Sequence, residues 1–274
     1  MSTTHHQHTG TAPEGTESGR TARRPVPVAK VVAGLAAAVV SGAAVYAVGL
    51  PSGVEIFRTD LADLTLPAAL LVTLVLGSVV GIASARAPWR VVDIVVASVL
   101  GVAGGLLFSV WNAVAYPLVS AAVVPPVSAW YVGVWLLPGV LGGLVIRKPG
   151  AAVYTELVAA ALSALIGSSW GFSVVWYGLL QGLGAELVLA LFLYRSFRLP
   201  VALLAGAGAG VVVGVLDSIL YYPELVPVLQ LAYVGLAVVS GVVIAGLGSW
   251  ALTRALARTG ALAPLRSGRD VERV

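Results

Sequence analysis

Two glutamates, Glu156 and Glu186, lie within long apolar stretches of the chain, where membrane-spanning segments rarely carry charge. An ionised carboxylate in hydrocarbon costs roughly 3 kcal/mol or more, so such groups persist where they face a helix-bundle interior or a water-filled cavity. Glu156 follows Arg147 by nine residues, and Glu186 precedes Arg195 by nine. At ~1.5 Å of rise per residue, both acids are predicted ~13 Å inside one membrane boundary, at one depth on antiparallel helices.

Small residues share the helix faces of the two glutamates, which predicts that both acids point into the bundle. They are Ala152, Ala160, Ser163 and Gly167 beside Glu156, and Gly178 and Gly182 beside Glu186. Such residues let helices approach closely. An inward carboxylate can bind a cationic ligand, relay a proton, or tie helices together through hydrogen bonds. The sequence leaves these three roles open.

Further polar groups are candidates for ligand contact. Gln181 offers amide donors and an acceptor, which suit the edge of a heterocycle or an interhelical hydrogen bond equally well. Asp217 is predicted ~28 Å from the Arg198 end of its helix, where it either lines the mouth of a pocket or reaches water. Asp93 is interpreted as a helix-start residue in a local ion pair with Arg90.

Most aromatic residues fall in the half of the bundle opposite the arginines. An interfacial belt of Trp and Tyr is the default interpretation of such a distribution. Trp135 and Trp176 lie deeper, and with Asn112 they predict an outward-facing cavity in which a cationic aromatic ligand gains from stacking and cation–π contact.

The composition indicates an all-α integral membrane protein. Of 274 residues, 59% are hydrophobic and 10% charged, none is cysteine, and the three histidines lie together near the N-terminus. We therefore expect no metal site, no cofactor and no catalytic centre. The basic residues sit in small groups at the ends of apolar runs, which argues against nucleic-acid binding. No phosphate-binding GxxxxGK[ST] loop occurs in the sequence, so the chain alone is not expected to hydrolyse ATP.

Eight apolar runs are each long enough to span a bilayer core of ~30 Å. They cover residues 30–50, 66–85, 90–111, 129–146, 150–168, 172–194, 199–220 and 227–253. Every second connection is rich in Lys and Arg, which predicts that both termini are cytoplasmic. The resulting domains are a disordered tail at 1–29, two spans at 30–88, a six-helix domain at 89–260 and a cytoplasmic tail at 261–274.

Two spans have unusual local sequences. Pro138 and Gly139 fall within the fourth span and are expected to kink or break it. In the third span, Ala97, Gly101 and Gly105 form a small-residue stripe, continued by Ser109, that predicts docking to another helix of this chain or to a partner. An uncharged, proline-containing outer loop is predicted from about Ala113 to Ser128.

The residues from Trp89 to about Gly260 resemble the YkoE-type substrate-binding (S) components of energy-coupling factor (ECF) transporters. The matching motifs include WRVVDIVVASVLGV in the third span, IRKPGAA after the fourth, TELVAA at Glu156 and QGLGAE ending at Glu186. The resemblance implies a six-helix S domain, and the two predicted spans before residue 89 are additional to that six-helix pattern. It also implies capture of thiamine or its hydroxymethylpyrimidine precursor, a transmembrane coupling protein and two cytoplasmic ATPases as partners, and the Ala97 stripe as a docking face.

A thiamine-like ligand has a positively charged thiazolium and an aminopyrimidine, which suggest roles for the polar and aromatic residues above. The predicted ligand contacts are Glu156, Glu186, Gln181, Trp135, Trp170, Asn112, Asp217 and Tyr177. Two other functions compete with this one. An autonomous proton-coupled carrier would use Glu156 and Glu186 as its relay, and a structural scaffold would bind no small molecule.

Overall fold

A computed structural model describes Met1 and residues 88–269. Helices alone form the regular structure of this part of the chain. The α-helices are α1 (Val91–Val110), α2 (Tyr116–Ala122), α3 (Leu137–Ile146), α4 (Ala151–Ile166), α5 (Ser173–Leu191), α6 (Leu199–Leu220), α7 (Pro227–Ser240), α8 (Gly248–Arg258) and α9 (Arg266–Arg269). A 3₁₀ helix spans Val127–Leu136, and two π-helical turns span Trp111–Ala115 and Gly241–Leu247.

Five helical segments in the described residues are long and apolar enough to cross a membrane. They are Val91–Ala121, Val127–Ile146, Ser173–Leu191, Leu199–Leu220 and Pro227–Arg258, and the apolar helix Ala151–Ile166 is shorter. Each predicted span from residue 90 onward overlaps one of these six segments. The predicted spans 30–50 and 66–85, and with them the total of eight and the placement of the N-terminus, lie outside the described residues.

The first described segment continues well past the predicted end of its span at residue 111. A π-helical turn at Trp111–Ala115 leads directly into α2, which carries Pro117 in its first turn. Proline has no amide hydrogen to give to the preceding turn, and a π-helical turn accommodates the interrupted hydrogen-bond ladder. The prediction of an irregular loop from Ala113 is therefore wrong for residues up to Ala122. The consequence is that Tyr116 sits on a helix.

The predicted interruption at Pro138 is confirmed. The 3₁₀ helix ends at Leu136, and α3 begins with Pro138 in its first turn. Serine hydroxyls of the neighbouring α7–α8 segment satisfy carbonyl groups along this irregular span. Ser240 donates to the Trp130 carbonyl and accepts from the Gly133 amide, and Ser249 donates to the Leu137 carbonyl. The α7–α8 segment thereby fixes the position of the 3₁₀ helix.

The small-residue stripe of α1 packs against α4 of the same chain. A Cβ atom on Gly101 would lie 2.7 Å from the Val158 Cβ, and one on Gly105 would lie 2.7 Å from the Leu162 Cβ. Ala97 is fully buried. The stripe therefore forms an internal helix contact, the first of the two predicted alternatives, and α4 covers Ala97, Gly101 and Gly105 where a partner would have to dock.

A similar backbone approach joins α6 to the second π-helical turn. A Cβ atom on Gly206 would collide with the Gly241 carbonyl oxygen and would lie 2.7 Å from the Gly246 amide nitrogen. Both obstacles are backbone atoms, so neither can move aside by a change of rotamer. The contact holds α6 against the α7–α8 segment.

We predict that Gly206→Ala destabilises the protein by about 1–3 kcal/mol, because overpacking against fixed backbone forces the helices apart. Thermal unfolding of the detergent-solubilised protein measures the effect. Gly235→Ala is the matched control, since a Cβ there meets no atom within 4 Å. A Gly206→Ala protein as stable as the Gly235→Ala protein would show that the α6 contact is not tight.

A buried ionic cluster closes the end of the bundle at which α1 begins. Lys148, 5% exposed, donates to the Asp93 carboxylate and to the Pro88 carbonyl. Arg90 donates to Asp93 at 2.9 Å and to the Pro264 carbonyl, and its hydrogen bond with Asp93 raises the pKa of the guanidinium. The predicted local ion pair of Asp93 is confirmed, and Lys148 is an additional partner.

The segment after α8 packs against this same end of the bundle. Leu262 and Leu265 are buried among Ala97, Leu141 and Ile146. The region predicted as a tail from residue 261 therefore begins with residues that belong to the core of the folded domain.

Candidate functional site

A cavity of about 280 Å³ lies at the opposite end of the bundle from the Asp93–Lys148 cluster. Its walls come from α1, α2, the 3₁₀ helix and α4 to α7. The lining residues are Phe108, Asn112, Tyr116, Tyr131, Val132, Trp135, Ala160, Ser163, Trp170, Ser173, Val174, Tyr177, Gln181, Val213, Asp217, Tyr221, Tyr222 and Tyr233. Small-molecule sites are typically on the order of 300–1,000 Å³, so the cavity suits a compact ligand.

Aromatic rings in edge-to-face contact form one wall of the cavity. Tyr116 packs against Trp170 with ring centroids 5.0 Å apart and against Trp135 at 5.4 Å. Trp135 also contacts Trp170 and Tyr131, each at 6.0 Å. Edge-to-face packing stabilises aromatic pairs beyond the area that they bury, so each ring holds its neighbour in place. The wall offers preformed π-surfaces to a planar or cationic ligand.

Asp217 supplies the negative charge of the cavity. Its carboxylate accepts a hydrogen bond of 2.8 Å from the Tyr233 hydroxyl, and the side chain of Tyr177 lies beside it. Asp217 is 8% exposed. Among the described residues that line the cavity, it is the only one with an ionisable carboxylate, and none is Lys, Arg or His. The cavity therefore favours a ligand with a positive charge.

Two amide side chains provide directional polar contacts. The Asn112 Oδ1 accepts a hydrogen bond from the Trp135 indole at 2.9 Å, which orients its NH₂ group as a remaining donor. Gln181 is largely buried and lines the cavity, and its amide makes no hydrogen bond with any residue that the structure describes. A buried amide needs partners, so Gln181 is suited to bond a heterocycle edge.

Six of the eight predicted ligand contacts come together in this cavity: Asn112, Trp135, Trp170, Tyr177, Gln181 and Asp217. Trp176, which the sequence had also indicated, does not line it. The most important residues that sequence reasoning missed are Tyr116 and Tyr131. Both were interpreted as members of an interfacial belt, and the spacing from Trp135 to Tyr131, one helical turn, was the available signal.

Glu186 does not line the cavity and instead caps the N-terminus of α4. Its carboxylate accepts hydrogen bonds from the backbone amides of Gly150 at 2.6 Å and Ala152 at 2.9 Å. A third bond comes from the Tyr194 hydroxyl at 2.7 Å. The first amides of a helix lack intrahelical acceptors, and a carboxylate there is favourable to the helix dipole. The contacts of Glu186 are those expected of the helix-tying alternative.

Glu156 has a similar position at the start of α3. Its Oε2 accepts a hydrogen bond of 2.6 Å from the Gly139 amide, in the first turn of that helix. Its Oε1 is buried and has no hydrogen-bond partner among the described residues. Ala160 and Ser163, farther along α4, line the cavity, but Glu156 does not. Glu156 thus connects α4 to the point at which the 3₁₀ helix of Trp135 ends.

The two glutamates do not lie at one depth, as the sequence had suggested. Gly182 is the α5 residue level with Glu156, because a Cβ atom on Gly182 would lie 3.1 Å from the Glu156 Cβ. Glu186 is therefore one helical turn, ~6 Å, farther from the cavity. The prediction of equal depth counted nine helical residues from Glu186 to Arg195. It was wrong because α5 ends at Leu191, so the residues leading to Arg195 are not helical.

Comparison with known proteins gives the site a context. The chain is 32% identical over 187 residues to YkoE of Bacillus subtilis (strain 168), which is named as an HMP/thiamine permease protein. The match covers 68% of this chain and 93% of that protein. The chain belongs to the YkoE-type S components. The ABC-type cobalt transport system permease family also matches, over residues 92–212.

A solved structure agrees with this family. The chain matches the crystal structure of an S-component of an ECF transporter with a TM-score of 0.64 and 30% identity. The match covers 68% of this chain and 94% of that chain. YkoE-type S components are multi-pass membrane proteins, and these relatives are transport components rather than enzymes. The helical core that bears the cavity is thus a transporter fold.

Proposed function

We propose that this chain is the substrate-binding subunit of an ATP-driven ECF importer and captures thiamine or its hydroxymethylpyrimidine precursor. The observation that carries the proposal is the aromatic cavity with Asp217 as its charged group. The names of the relatives, an HMP/thiamine permease protein and an S-component of an ECF transporter, agree with this substrate class.

Each part of thiamine has a complementary group in the cavity. The thiazolium cation would lie between the Asp217 carboxylate and the aromatic wall of Trp135 and Trp170, where charge attraction and cation–π contact act together. The aminopyrimidine would present donors and acceptors to Gln181 and Asn112. Tyr177 would close the cavity beside Asp217. Glu156 would position Trp135 through α3 rather than contact the ligand.

The cavity is proposed to open to the outside of the cell. Arg90, Arg147, Arg195 and Arg198 all adjoin helix ends at the opposite side of the bundle, and basic residues mark cytoplasmic ends. By the same argument, the C-terminus would lie in the cytoplasm. With two further spans before residue 88, the N-terminus would also be cytoplasmic.

Transport would require partners, because the sequence has no phosphate-binding loop with which to use ATP. The proposed assembly contains a transmembrane coupling protein and two cytoplasmic ATPases. Since Ala97, Gly101 and Gly105 are covered by α4, the coupling protein would contact other surfaces of the bundle.

The proton-coupled carrier is not favoured. Its relay would need Glu156 and Glu186 in a water-accessible path, yet both are almost fully buried and bonded to backbone amides at the starts of α3 and α4. Neither lines the cavity. Each of the two acids thus has a backbone contact of the kind expected of the helix-tying alternative.

The proposal is tested by calorimetric titration of the purified full chain in detergent with thiamine and hydroxymethylpyrimidine. We expect one site per chain and a dissociation constant of about 1 µM or lower for at least one of them. Absence of binding by both compounds would refute the substrate assignment. Uptake into proteoliposomes by this chain alone, driven by a pH gradient, would refute the S-component mechanism in favour of the carrier.

A further inference from the structure

We infer that the cavity rejects phosphorylated forms of its ligand and admits only the free alcohol. This inference rests on the proposed function, since it concerns which chemical form of the vitamin the same cavity accepts. Thiamine and hydroxymethylpyrimidine each carry a hydroxyl that phosphorylation converts into an ester. A phosphate monoester adds a charge of about −1.5 to −2 at neutral pH.

The lining of the cavity offers no cation to such a group. Proteins bind phosphate through Arg, Lys and helix N-termini. Among the described lining residues none is Arg, Lys or His, and the ionisable acid, Asp217, would repel an anion. The remaining polar groups are tyrosine and serine hydroxyls, indoles and two amides. A desolvated phosphate would therefore lose its hydration without gaining a countercharge.

The basic residues of the described helices are too far away to compensate. Arg198 precedes α6, and Asp217 lies 19 residues farther along the chain, so the two are ~28 Å apart along the helix. Arg90 and Asn112 are separated by ~33 Å along α1 and its π-helical turn. Neither guanidinium can therefore reach a phosphate in the cavity, because a charge-assisted hydrogen bond needs a separation of about 2.7–2.9 Å.

One helix N-terminus does lie at the rim of the cavity, that of α5 at Ser173. It carries no basic side chain, and two of its polar groups already have acceptors within the turn. The Ser173 hydroxyl donates to the Trp170 carbonyl at 2.6 Å, and the Val175 amide donates to the Phe172 carbonyl. A phosphate at this helix start would therefore find no cation and would face the aromatic ring of Trp170.

The inference places two reactions around capture of the vitamin. Phosphate esters outside the cell would need hydrolysis before this chain binds them. Phosphorylation in the cytoplasm would then give a product that the same cavity does not take back.

The test compares matched pairs of ligands by calorimetric titration of the full chain: thiamine with thiamine monophosphate, and hydroxymethylpyrimidine with its phosphate. We expect each ester to bind at least about 30-fold more weakly than its alcohol, as suits an uncompensated charge in a poorly solvated site. Esters that bind within threefold of their alcohols would overturn the inference. Failure of both alcohols to bind would instead refute the proposed function.

A second measurement attributes the discrimination to charge rather than size. In Asp217→Asn, the dissociation constant of hydroxymethylpyrimidine phosphate divided by that of hydroxymethylpyrimidine should fall at least threefold relative to wild type. Hydroxymethyl and methoxymethyl analogues of the pyrimidine differ in size but not in charge, and they should bind the wild type within about threefold of each other. A ratio unchanged in Asp217→Asn would refute an electrostatic origin of the discrimination. If this variant does not fold, the comparison of each alcohol with its ester on the wild-type protein still tests the selectivity.

Discussion

Asp217→Asn is expected to weaken thiamine binding by about 10- to 100-fold, which corresponds to about 1.4–2.7 kcal/mol. Asparagine has the size of aspartate and keeps an oxygen that can accept the hydrogen bond from Tyr233. The substitution therefore removes the charge and little else. Because the walls around Asp217 are aromatic and poorly solvated, the lost attraction to the thiazolium is not replaced by water. Calorimetric titration of the purified variant measures the change.

Two controls separate this effect from a general change. Glu224→Gln removes a carboxylate that is exposed, is absent from the cavity lining and lies on the same side of the bundle, so it should leave thiamine affinity within twofold of wild type. Hydroxymethylpyrimidine lacks the thiazolium and should lose less than about threefold in Asp217→Asn. Equal losses for the two ligands would mean that Asp217 shapes the cavity without pairing with a cation.

Glu186→Gln is expected to lower the free energy of unfolding by about 2–4 kcal/mol, although Glu186 contacts no part of the cavity. Both carboxylate oxygens accept hydrogen bonds, Oε1 from Gly150 and Tyr194 and Oε2 from Ala152. A glutamine has one acceptor oxygen, so its NH₂ group would face a backbone amide as donor against donor. The melting temperature of the detergent-solubilised variant measures the loss.

Glu156→Gln provides the matched comparison. Only Oε2 of Glu156 accepts a described hydrogen bond, from Gly139, and a glutamine oxygen can take that bond over. The substitution should therefore cost less than half as much as Glu186→Gln. A Glu186→Gln protein that melts like wild type but no longer binds thiamine would refute the capping role and restore the ligand contact first suggested by the sequence.

The sequence predicted the helices well because hydrophobic length is a strong signal in a membrane protein. Each described span begins or ends near an arginine or a lysine, and the counting of residues from Arg198 placed Asp217 correctly near the far end of α6. The motif Pro138-Gly139 also indicated the break before α3. These features depend on local sequence alone.

The cavity was predicted less completely. A carboxylate in an apolar helix indicates a buried position, but it does not indicate whether a ligand or a backbone amide binds the carboxylate. Like Asp217, Glu156 and Glu186 are carboxylates within apolar helices that carry small residues on the same face. Their partners, however, are backbone amides at the starts of α3 and α4. Only the packing of α4 against α3 and α5 shows this. Likewise, the glycine stripe of α1 indicated a docked helix, but the neighbour that covers it is set by the fold.

The Asp93–Lys148 cluster also holds the two limits of the described domain together. Pro88 and Pro264, near the two limits of the described domain, are both held by hydrogen bonds to this cluster or to its partner Arg90. Entry and exit of the polypeptide thus coincide at one place, ~30 Å along α1 from the cavity. The hydrogen bonds that hold both limits of the described domain are thus remote from the residues that line the cavity.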